Sequence, residues 1–198
     1  MTTEATQGRE ESLERIASQV RGCTRCKLHA GRTRAVPGAG PACADVFFIG
    51  EGPGAREDEQ GEPFVGRSGR YLDQLLEAIG LDRQKVFITN VVKCRPPSNR
   101  DPHVAEVRAC APYLERQLAF IQPRLVVTLG RFAMEHFFSD GLISEIHGQP
   151  RRMDDTVYLP LYHPAAALYR GSLRGVVEED FRRIPVLLES PQKLLDDE

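Results

Sequence analysis

The sequence predicts a single α/β domain built around a parallel β-sheet. Four short apolar runs alternate along the chain with stretches of helical periodicity. The runs are apolar at nearly every position, which is typical of parallel strands covered by helices on both faces. A chain of 198 residues can bury one sizeable core, and two full domains would be crowded. We therefore expect one domain over 1–198, with its ligand beyond the carboxyl ends of the strands.

The strand candidates are bounded by turn residues at their carboxyl ends. Glycine ends the first and third runs. The fourth contains Pro160, which cannot donate to a ladder and therefore indicates a sheet edge or a strand end. The four candidates are residues 44–50, 86–92, 125–130 and 157–163.

Helical periodicity is strongest over 68–79, where Leu72, Leu75 and Leu76 share a face and Gly80 can end the helix. The polar ends of the chain, 1–9 and 190–198, are expected to be flexible. The other helix candidates are 10–21, 103–121, 131–138 and 173–188.

Composition and charge exclude some functions and leave others open. No apolar run approaches the roughly 20 residues of a membrane-spanning helix. The N-terminus lacks the basic start and apolar stretch of a signal peptide, so we expect a cytoplasmic protein. The net charge is −2, and 22 of the 26 basic residues are Arg. Arginine suits forked contacts with phosphate, although a GC-rich genome explains the same excess.

The chain has five cysteines, an odd number, and its sequence shows no export signal. Both observations argue against a disulfide framework. Cys23 and Cys26 form a CxxC pair, while Cys94 and Cys110 lie far downstream. Together they could close a four-thiolate site for zinc or for a 4Fe–4S cluster, and unliganded thiols are the alternative. Cys43 has the character of an ordinary core or loop residue.

The turn over 50–54, Gly-Glu-Gly-Pro-Gly, follows the first strand and lets the backbone approach a ligand closely. Its spacing is neither that of a phosphate-binding loop nor that of a dinucleotide fingerprint. Glu51 within it is a candidate for chemistry. Phe64, in a glycine-bracketed loop, could stack on a base or fill the core. Asn90, in the second strand, could read a base edge or tie down a loop.

His163 follows the fourth strand and precedes a proline, which favours an extended backbone there. That position could bring its imidazole to a reacting oxygen. The apolar tip at 168–169 is followed by Arg170, a pattern that resembles a wedge filling the gap left by an extruded base. All these features lie near the carboxyl ends of strands, so we expect them at one edge of the sheet.

Taken together, the motifs resemble those of the family 4 uracil-DNA glycosylases, an iron–sulfur family. The resemblance spans roughly 20–188. It implies a three-layer α/β/α sandwich around a four-stranded parallel sheet, and removal of uracil from DNA at the start of base excision repair. It also implies a 4Fe–4S cluster on the four cysteines. The residues that carry it are GEGPG (50–54), EPFVGRSG (62–69), TNVVKCRPPSNRDP (89–102), HPAAAL (163–168) and Cys23, Cys26, Cys94 and Cys110.

The resemblance also implies a role for each residue of the site. Glu51 and Gly52 would form the catalytic turn. Phe64 would stack on uracil, Asn90 would read its edge, and His163 would face its O2. The best-known uracil-removing family has an aspartate where Gly52 stands, so the group that activates water is left open.

The expected partner is uracil-containing DNA, single or double stranded, bound by a monomer. Backbone N–H groups and arginines would hold its phosphates, and an apolar tip would serve as the wedge. The DNA-contacting candidates are Ser68, Arg131, Leu168, Tyr169, Arg170 and Arg174.

Other functions remain open from the residues. One is an iron–sulfur protein of the same fold that holds uracil or abasic DNA with little turnover. Another is a zinc protein or a nucleotide hydrolase, but a hydrolase needs a carboxylate cluster, and the acidic run 57–59 is expected to be a solvated turn or helix start. A related glycosylase branch traps its product through a histidine in an inserted basic loop; no such insert follows Asn90, although His103 lies downstream.

Overall fold

A computed structural model describes residues 3–138 and 141–190. At its centre is a five-stranded sheet with the order β2-β1-β3-β5-β4. The first four of these pair in parallel, and β4 pairs antiparallel with β5. The four predicted strands are present and parallel, but the predicted strand count is wrong, because the sheet also contains an antiparallel fifth strand. The strands are β1 (Val46–Gly50), β2 (Val86–Asn90), β3 (Leu125–Leu129), β4 (Arg151–Met153) and β5 (Thr156–Leu161).

The added strand, β4, is short and polar, and for that reason no apolar run marks it in the sequence. Arg151 and Arg152 are exposed, and the strand turns back onto β5 through Asp154, which has a φ of 52°. The strand pairs only with residues 156–158. Pro160 lies beyond that pairing, where β5 is an edge strand, as the missing N–H of proline requires.

The helices pack on both faces of the sheet. α1 and α4 cover one face, and α3 and α8 cover the other. Short 3₁₀ turns occupy Lys27–Ala30, Pro97–Asn99 and Gly171–Leu173. The helices are α1 (Thr3–Arg21), α2 (Ala55–Gln60), α3 (Arg67–Ala78), α4 (Val104–Ile121), α5 (Arg131–Glu135), α6 (Ile143–Ile146), α7 (Pro164–Tyr169) and α8 (Arg174–Glu189).

Alternating side chains of β1 build the two halves of the core. Phe47 stacks on Phe87 at 5.1 Å on the α1/α4 side, and Phe48 stacks on Phe181 at 6.1 Å on the α3/α8 side. All four rings are buried, and each such burial contributes about 1.5–3 kcal/mol. The three layers hold the carboxyl ends of the strands, and therefore the loops that follow them, in fixed positions.

The chain termini differ in part from expectation. α1 begins at Thr3, well before the predicted start at residue 10; residues 3–9, TEATQGR, show no apolar periodicity by which that start could be predicted. Residues 1–2 and 191–198, which belong to the segments expected to be flexible, lie outside the described residues. Within 3–138 and 141–190, no helix has the length and apolar character needed to cross a membrane.

Candidate active site and four-cysteine pocket

A cavity of about 470 Å³ opens at the carboxyl edge of the sheet. It brings together seven of the predicted site residues: Glu51, Gly52, Phe64, Ser68, Asn90, His163 and Tyr169. Its wall also includes five residues for which no role was predicted: Gly54, Glu57, Asn99, Asp101 and Ala165. His103 begins α4 as its N-cap and is not part of this wall, which gives no support to the covalent-trapping alternative.

Gly50, the last residue of β1, allows two site residues to close on the end of the strand. A Cβ there would lie 2.5 Å from Asn90 Oδ1 and 2.6 Å from Phe64 Cζ. Asn90 as a whole is 2% exposed and lines the cavity. Its side-chain amide has no hydrogen-bond partner among the described residues, yet it is not one of the fully buried polar groups that lack a partner, so it opens onto the cavity. The amide is therefore available to a ligand there.

The backbone at Phe64 is held in the left-handed region, with a φ of 54°. Such a conformation costs on the order of 1–3 kcal/mol for a residue other than glycine and persists only when its surroundings enforce it. Arg83 donates to the carbonyls of Pro63, at 2.9 Å, and of Phe64. Gly69 packs so closely that a Cβ there would lie 1.7 Å from the Phe64 oxygen. These contacts hold the aromatic ring against the imidazole of His163, with centroids 5.5 Å apart.

The acidic run at the start of α2 is not solvated as expected. Glu57 and Asp58 are 8% and 4% exposed, and only the third acid of the run is exposed. Glu57 Oε1 accepts hydrogen bonds from the backbone N–H groups of Val65, at 2.8 Å, and Gly66, at 2.7 Å. Asp58 accepts from the N–H of Thr33 at 3.0 Å. These donors lie on other loops, so the acidic run alone could not reveal them.

His163 is the N-cap of α7, and its Nδ1 accepts a hydrogen bond from the N–H of Ala165 at 3.1 Å. Burial lowers the pKa of His163 to about 4, so the ring is neutral at pH 7. A neutral imidazole carries one proton, and an accepting Nδ1 requires that proton on Nε2. The ring is thereby prepared to donate from Nε2.

Glu51 is half-buried, and desolvation is the main reason that its pKa rises to about 7. The charge of Asp101 raises this pKa further, and that of Arg131 lowers it. Beside Glu51, a Cβ at Gly52 would lie 2.8 Å from Val92 Cγ2. Position 52 therefore has no room for an aspartate, and Glu51 is the one carboxylate in the turn over 50–54.

The predicted wedge lies at the end of α7. Tyr169 is 84% exposed and also lines the cavity, while Leu168 beside it is 39% exposed. Ser68 lies on the wall near the start of α3. Large exposed apolar groups at the mouth of a cavity indicate a surface that another molecule covers.

The predicted arginines lie outside the cavity wall, and some are already paired. Arg131 forms an ion pair with Asp101 at 3.2 Å. Arg174 pairs with Glu178 at 3.0 Å, and Arg170 is exposed. Exposed pairs of this kind contribute about 0–1 kcal/mol, so a phosphate could replace either carboxylate at little cost. Their contacts with DNA remain predictions.

The four cysteines that the resemblance assigns to a cluster line one pocket. Nη1 of Arg32 donates to Cys94 Sγ at 3.0 Å, and the backbone N–H of Lys93 donates to Cys110 Sγ at 3.3 Å. The backbone N–H of Arg25 donates to Cys23 Sγ at 3.5 Å. Burial raises the pKa of Cys94 and raises that of Cys110 to about 11, and it outweighs the contacts of Arg32 and Lys93, which lower the pKa of these two thiols. Cys43 is exposed and lies outside this pocket.

The side chains around this pocket do not by themselves form a metal site. Within the described part of the chain, no group of three or more His, Cys, Asp or Glu side chains is arranged to hold a metal ion. A cluster on the four cysteines therefore stays a prediction, which their position around one pocket supports.

Comparison with known proteins agrees with this architecture. Residues 37–183 match the family model described as the Uracil DNA glycosylase superfamily. The chain is similar to the type-4 uracil-DNA glycosylases of Sulfurisphaera tokodaii (46% identical, covering 92% of this chain and 88% of the relative), Saccharolobus solfataricus (46%, 94% and 91%) and Archaeoglobus fulgidus (44%, 94% and 98%).

The fold and the cavity are thus those of a uracil-DNA glycosylase-like α/β protein. Within that superfamily, the chain belongs to the type-4 uracil-DNA glycosylases. The family resemblance inferred from the motifs is confirmed.

Proposed function

We propose that this chain hydrolyses the N-glycosidic bond of deoxyuridine in DNA, releases uracil and leaves an abasic site. This reaction would begin the base excision repair of deaminated cytosine. The observation that carries the proposal is one cavity lined by an unpartnered amide, an aromatic ring and a neutral imidazole donor. Membership in the type-4 family supports it.

Asn90 and Phe64 would recognise the base. The Asn90 amide would accept from uracil N3–H and donate to O4. Cytosine presents the opposite pattern, and two mismatched buried groups disfavour it strongly. Phe64 would stack on the face of the base, an interaction that contributes about 1–3 kcal/mol.

His163 would stabilise the leaving group. As the glycosidic bond breaks, its electron pair goes to uracil, which leaves as an anion. The Nε2–H of a neutral His163 would donate to uracil O2, where negative charge develops. A preorganised donor of this kind is worth about 2.7–4 kcal/mol. The ring needs no prior protonation, which agrees with the low pKa of His163.

Glu51 would act on the sugar. Loss of the base gives the sugar oxocarbenium character, and a nearby carboxylate stabilises that positive charge most where water is scarce. The same carboxylate would orient the water whose oxygen bonds to C1′, and the proton that this water loses would neutralise the departing uracil anion. The cationic sugar would in turn favour the ionised form of Glu51.

The exposed tip of α7 would hold the DNA open. Leu168 or Tyr169 would fill the gap left by the extruded nucleotide, as apolar wedges do. The surrounding phosphates would be held by Ser68 and the arginines at 131, 170 and 174.

Cys23, Cys26, Cys94 and Cys110 would hold a 4Fe–4S cluster. When bound, the cluster would cross-link three parts of the chain: the segment after α1, the loop after β2, and α4, which carries Cys110. A bound 4Fe–4S cluster would colour the protein brown. Cys94→Ser should remove that colour and most of the iron, because Cys94 lines the pocket and its Sγ accepts a hydrogen bond from Arg32. Cys43→Ser is the matched control and should leave both unchanged. Full iron content in Cys94→Ser would contradict this ligand set.

The activity is tested with a labelled oligonucleotide that carries one uracil, beside matched cytosine and thymine strands. Alkali cleaves the strand at any abasic site. We expect cleavage at uracil alone, and a loss of at least a hundredfold in His163→Ala, which removes the leaving-group donor. Protein with full iron content that leaves the uracil strand intact would refute the proposal. Retained affinity for that strand would then favour the binding-protein alternative.

A further inference from the structure

Lys93 is buried in an unusual manner. It is 1% exposed, although lysine is almost never fully buried unless it is paired. Its Nζ lies 2.5 Å from Thr89 Oγ1, 2.9 Å from the Asn90 carbonyl and 2.7 Å from Gln117 Oε1. Three acceptors match the three N–H bonds of an ammonium group. None of the three is a carboxylate, so the lysine is held by neutral oxygens.

The partners of Lys93 are themselves fixed. Thr89 Oγ1 donates to the carbonyl of Pro37 at 2.9 Å, and Gln117 Nε2 donates to the same carbonyl at 2.7 Å. The four groups close a ring of hydrogen bonds that joins β2, α4 and the loop before β1. A fully satisfied buried network of this kind is rigid, and loss of one member leaves the others unpaired.

The contact with Asn90 falls on the peptide that sets the direction of its side chain. Asn90 is the last residue of β2, and its carbonyl accepts from Lys93. The N–H of the same peptide, which belongs to Val91, donates to the Gly50 carbonyl at 2.9 Å. Both ends of this peptide plane are thus held. Because the Asn90 amide has no partner among the described residues, its backbone has to orient it.

We infer that Lys93 is a positioning residue that orients the Asn90 amide toward uracil through the Asn90 carbonyl. This inference rests on the proposed function. Lys93 does not line the cavity and would not touch the base. Its ammonium group instead holds the Asn90–Val91 peptide by donating to the Asn90 carbonyl. The residue would therefore govern how well uracil is recognised without taking part in bond cleavage.

The test is a double-mutant cycle on uracil excision. Lys93→Met keeps an unbranched apolar stem, shorter than the lysine side chain by one atom, and removes all three hydrogen bonds. In the otherwise native protein we expect kcat/KM to fall about ten- to a hundredfold. In the Asn90→Ala background we expect less than a twofold further loss, because Lys93 would act through the missing amide. Lys85→Met, at an exposed lysine, is the matched control and should leave both values unchanged.

Binding of free uracil supplies a readout that does not depend on turnover. The midpoint of thermal unfolding should rise with uracil in the native protein and in Lys85→Met, and much less in Lys93→Met at equal iron content. Equal losses from Lys93→Met in both backgrounds would mean a general structural role and would overturn the inference. Unchanged excision in Lys93→Met would also overturn it.

Two further outcomes are separable from these. If Lys93→Met does not fold, Lys93→Gln carries the same cycle, and failure of both to fold would overturn the inference. If the native protein does not excise uracil, or if Asn90→Ala excises it at the native rate, the proposed function or its assignment of Asn90 fails first. In that case the inference falls with it.

Discussion

The ionisation of Glu51 should control the pH dependence of uracil excision. Its pKa of about 7 lies well above the usual 4.5, mainly because of burial. At 1.36 kcal/mol per pKa unit, the rise corresponds to about 3 kcal/mol against ionisation, and solvent screening at this half-buried group reduces it to about 2 kcal/mol. If the reaction needs the carboxylate, kcat/KM should rise about tenfold per pH unit up to about pH 7 and then level off.

The neighbours of Glu51 provide the decisive variants. Asp101→Asn removes a negative charge and should move the midpoint to lower pH, while remaining above 4.5 because burial persists. Arg131→Gln removes a positive charge and should move the midpoint to higher pH. Opposite shifts from two neutralising changes cannot come from a general loss of DNA affinity. His163, with a pKa of about 4, stays neutral over the whole range.

The assay is excision from a single-stranded oligonucleotide at substrate well below KM, between about pH 5 and about pH 9. Glu51→Gln should be slow and should lack the rise. A midpoint below about pH 5, or one that neither neighbour moves, would refute the reasoning.

Stability gives an independent check of the same pKa. The native state retains the proton of Glu51 up to about pH 7, whereas the unfolded chain loses it near 4.5. The folded protein thus binds more protons in that window, so the free energy of unfolding should fall as pH rises from 4.5 to 7, relative to Glu51→Gln. Chemical denaturation at both ends of the window measures the difference.

Two glycines give further predictions. Gly52→Asp should not raise the excision rate and should lower the free energy of unfolding by about 1–3 kcal/mol, because its Cβ meets Val92 at 2.8 Å; a stable, faster variant in denaturation and excision assays would contradict this. Gly69→Ala should displace the Phe64 loop, since its Cβ would lie 1.7 Å from the Phe64 oxygen, and kcat/KM for uracil should fall at least tenfold. Gly175→Ala, which has no atom within 4 Å of the new Cβ, is the control and should keep native kcat/KM. Equal activity of the two alanine variants would show that the loop tolerates the movement.

Much of the fold follows from local patterns. Apolar runs and helical periodicity are properties of neighbouring residues, and they placed four strands and the main helices to within a few residues. β4 was not predicted from the sequence, because its two arginines are exposed and its pairing depends on β5. The start of α1 was not predicted for a related reason: its first turns, unlike the rest of the helix, have no apolar periodicity.

Residue type and order were also sufficient to select the main members of the site. Parallel strands end at one edge of a sheet, so Glu51, Asn90 and His163 had to lie near one another. Their motifs, together with that of Phe64, are sufficient to indicate the family.

The partners of the buried polar groups depend on the packed structure alone. The acids at 57 and 58 look solvated in the sequence, yet backbone donors from distant loops hold them. Lys93 looks like a surface residue until Thr89 and Gln117 enclose its ammonium group. The tautomer of His163 likewise depends on the N–H of Ala165. Apolar burial can be predicted from the spacing of apolar residues along the chain. A hydrogen bond instead requires two specific atoms that only folding brings to within about 3 Å of each other.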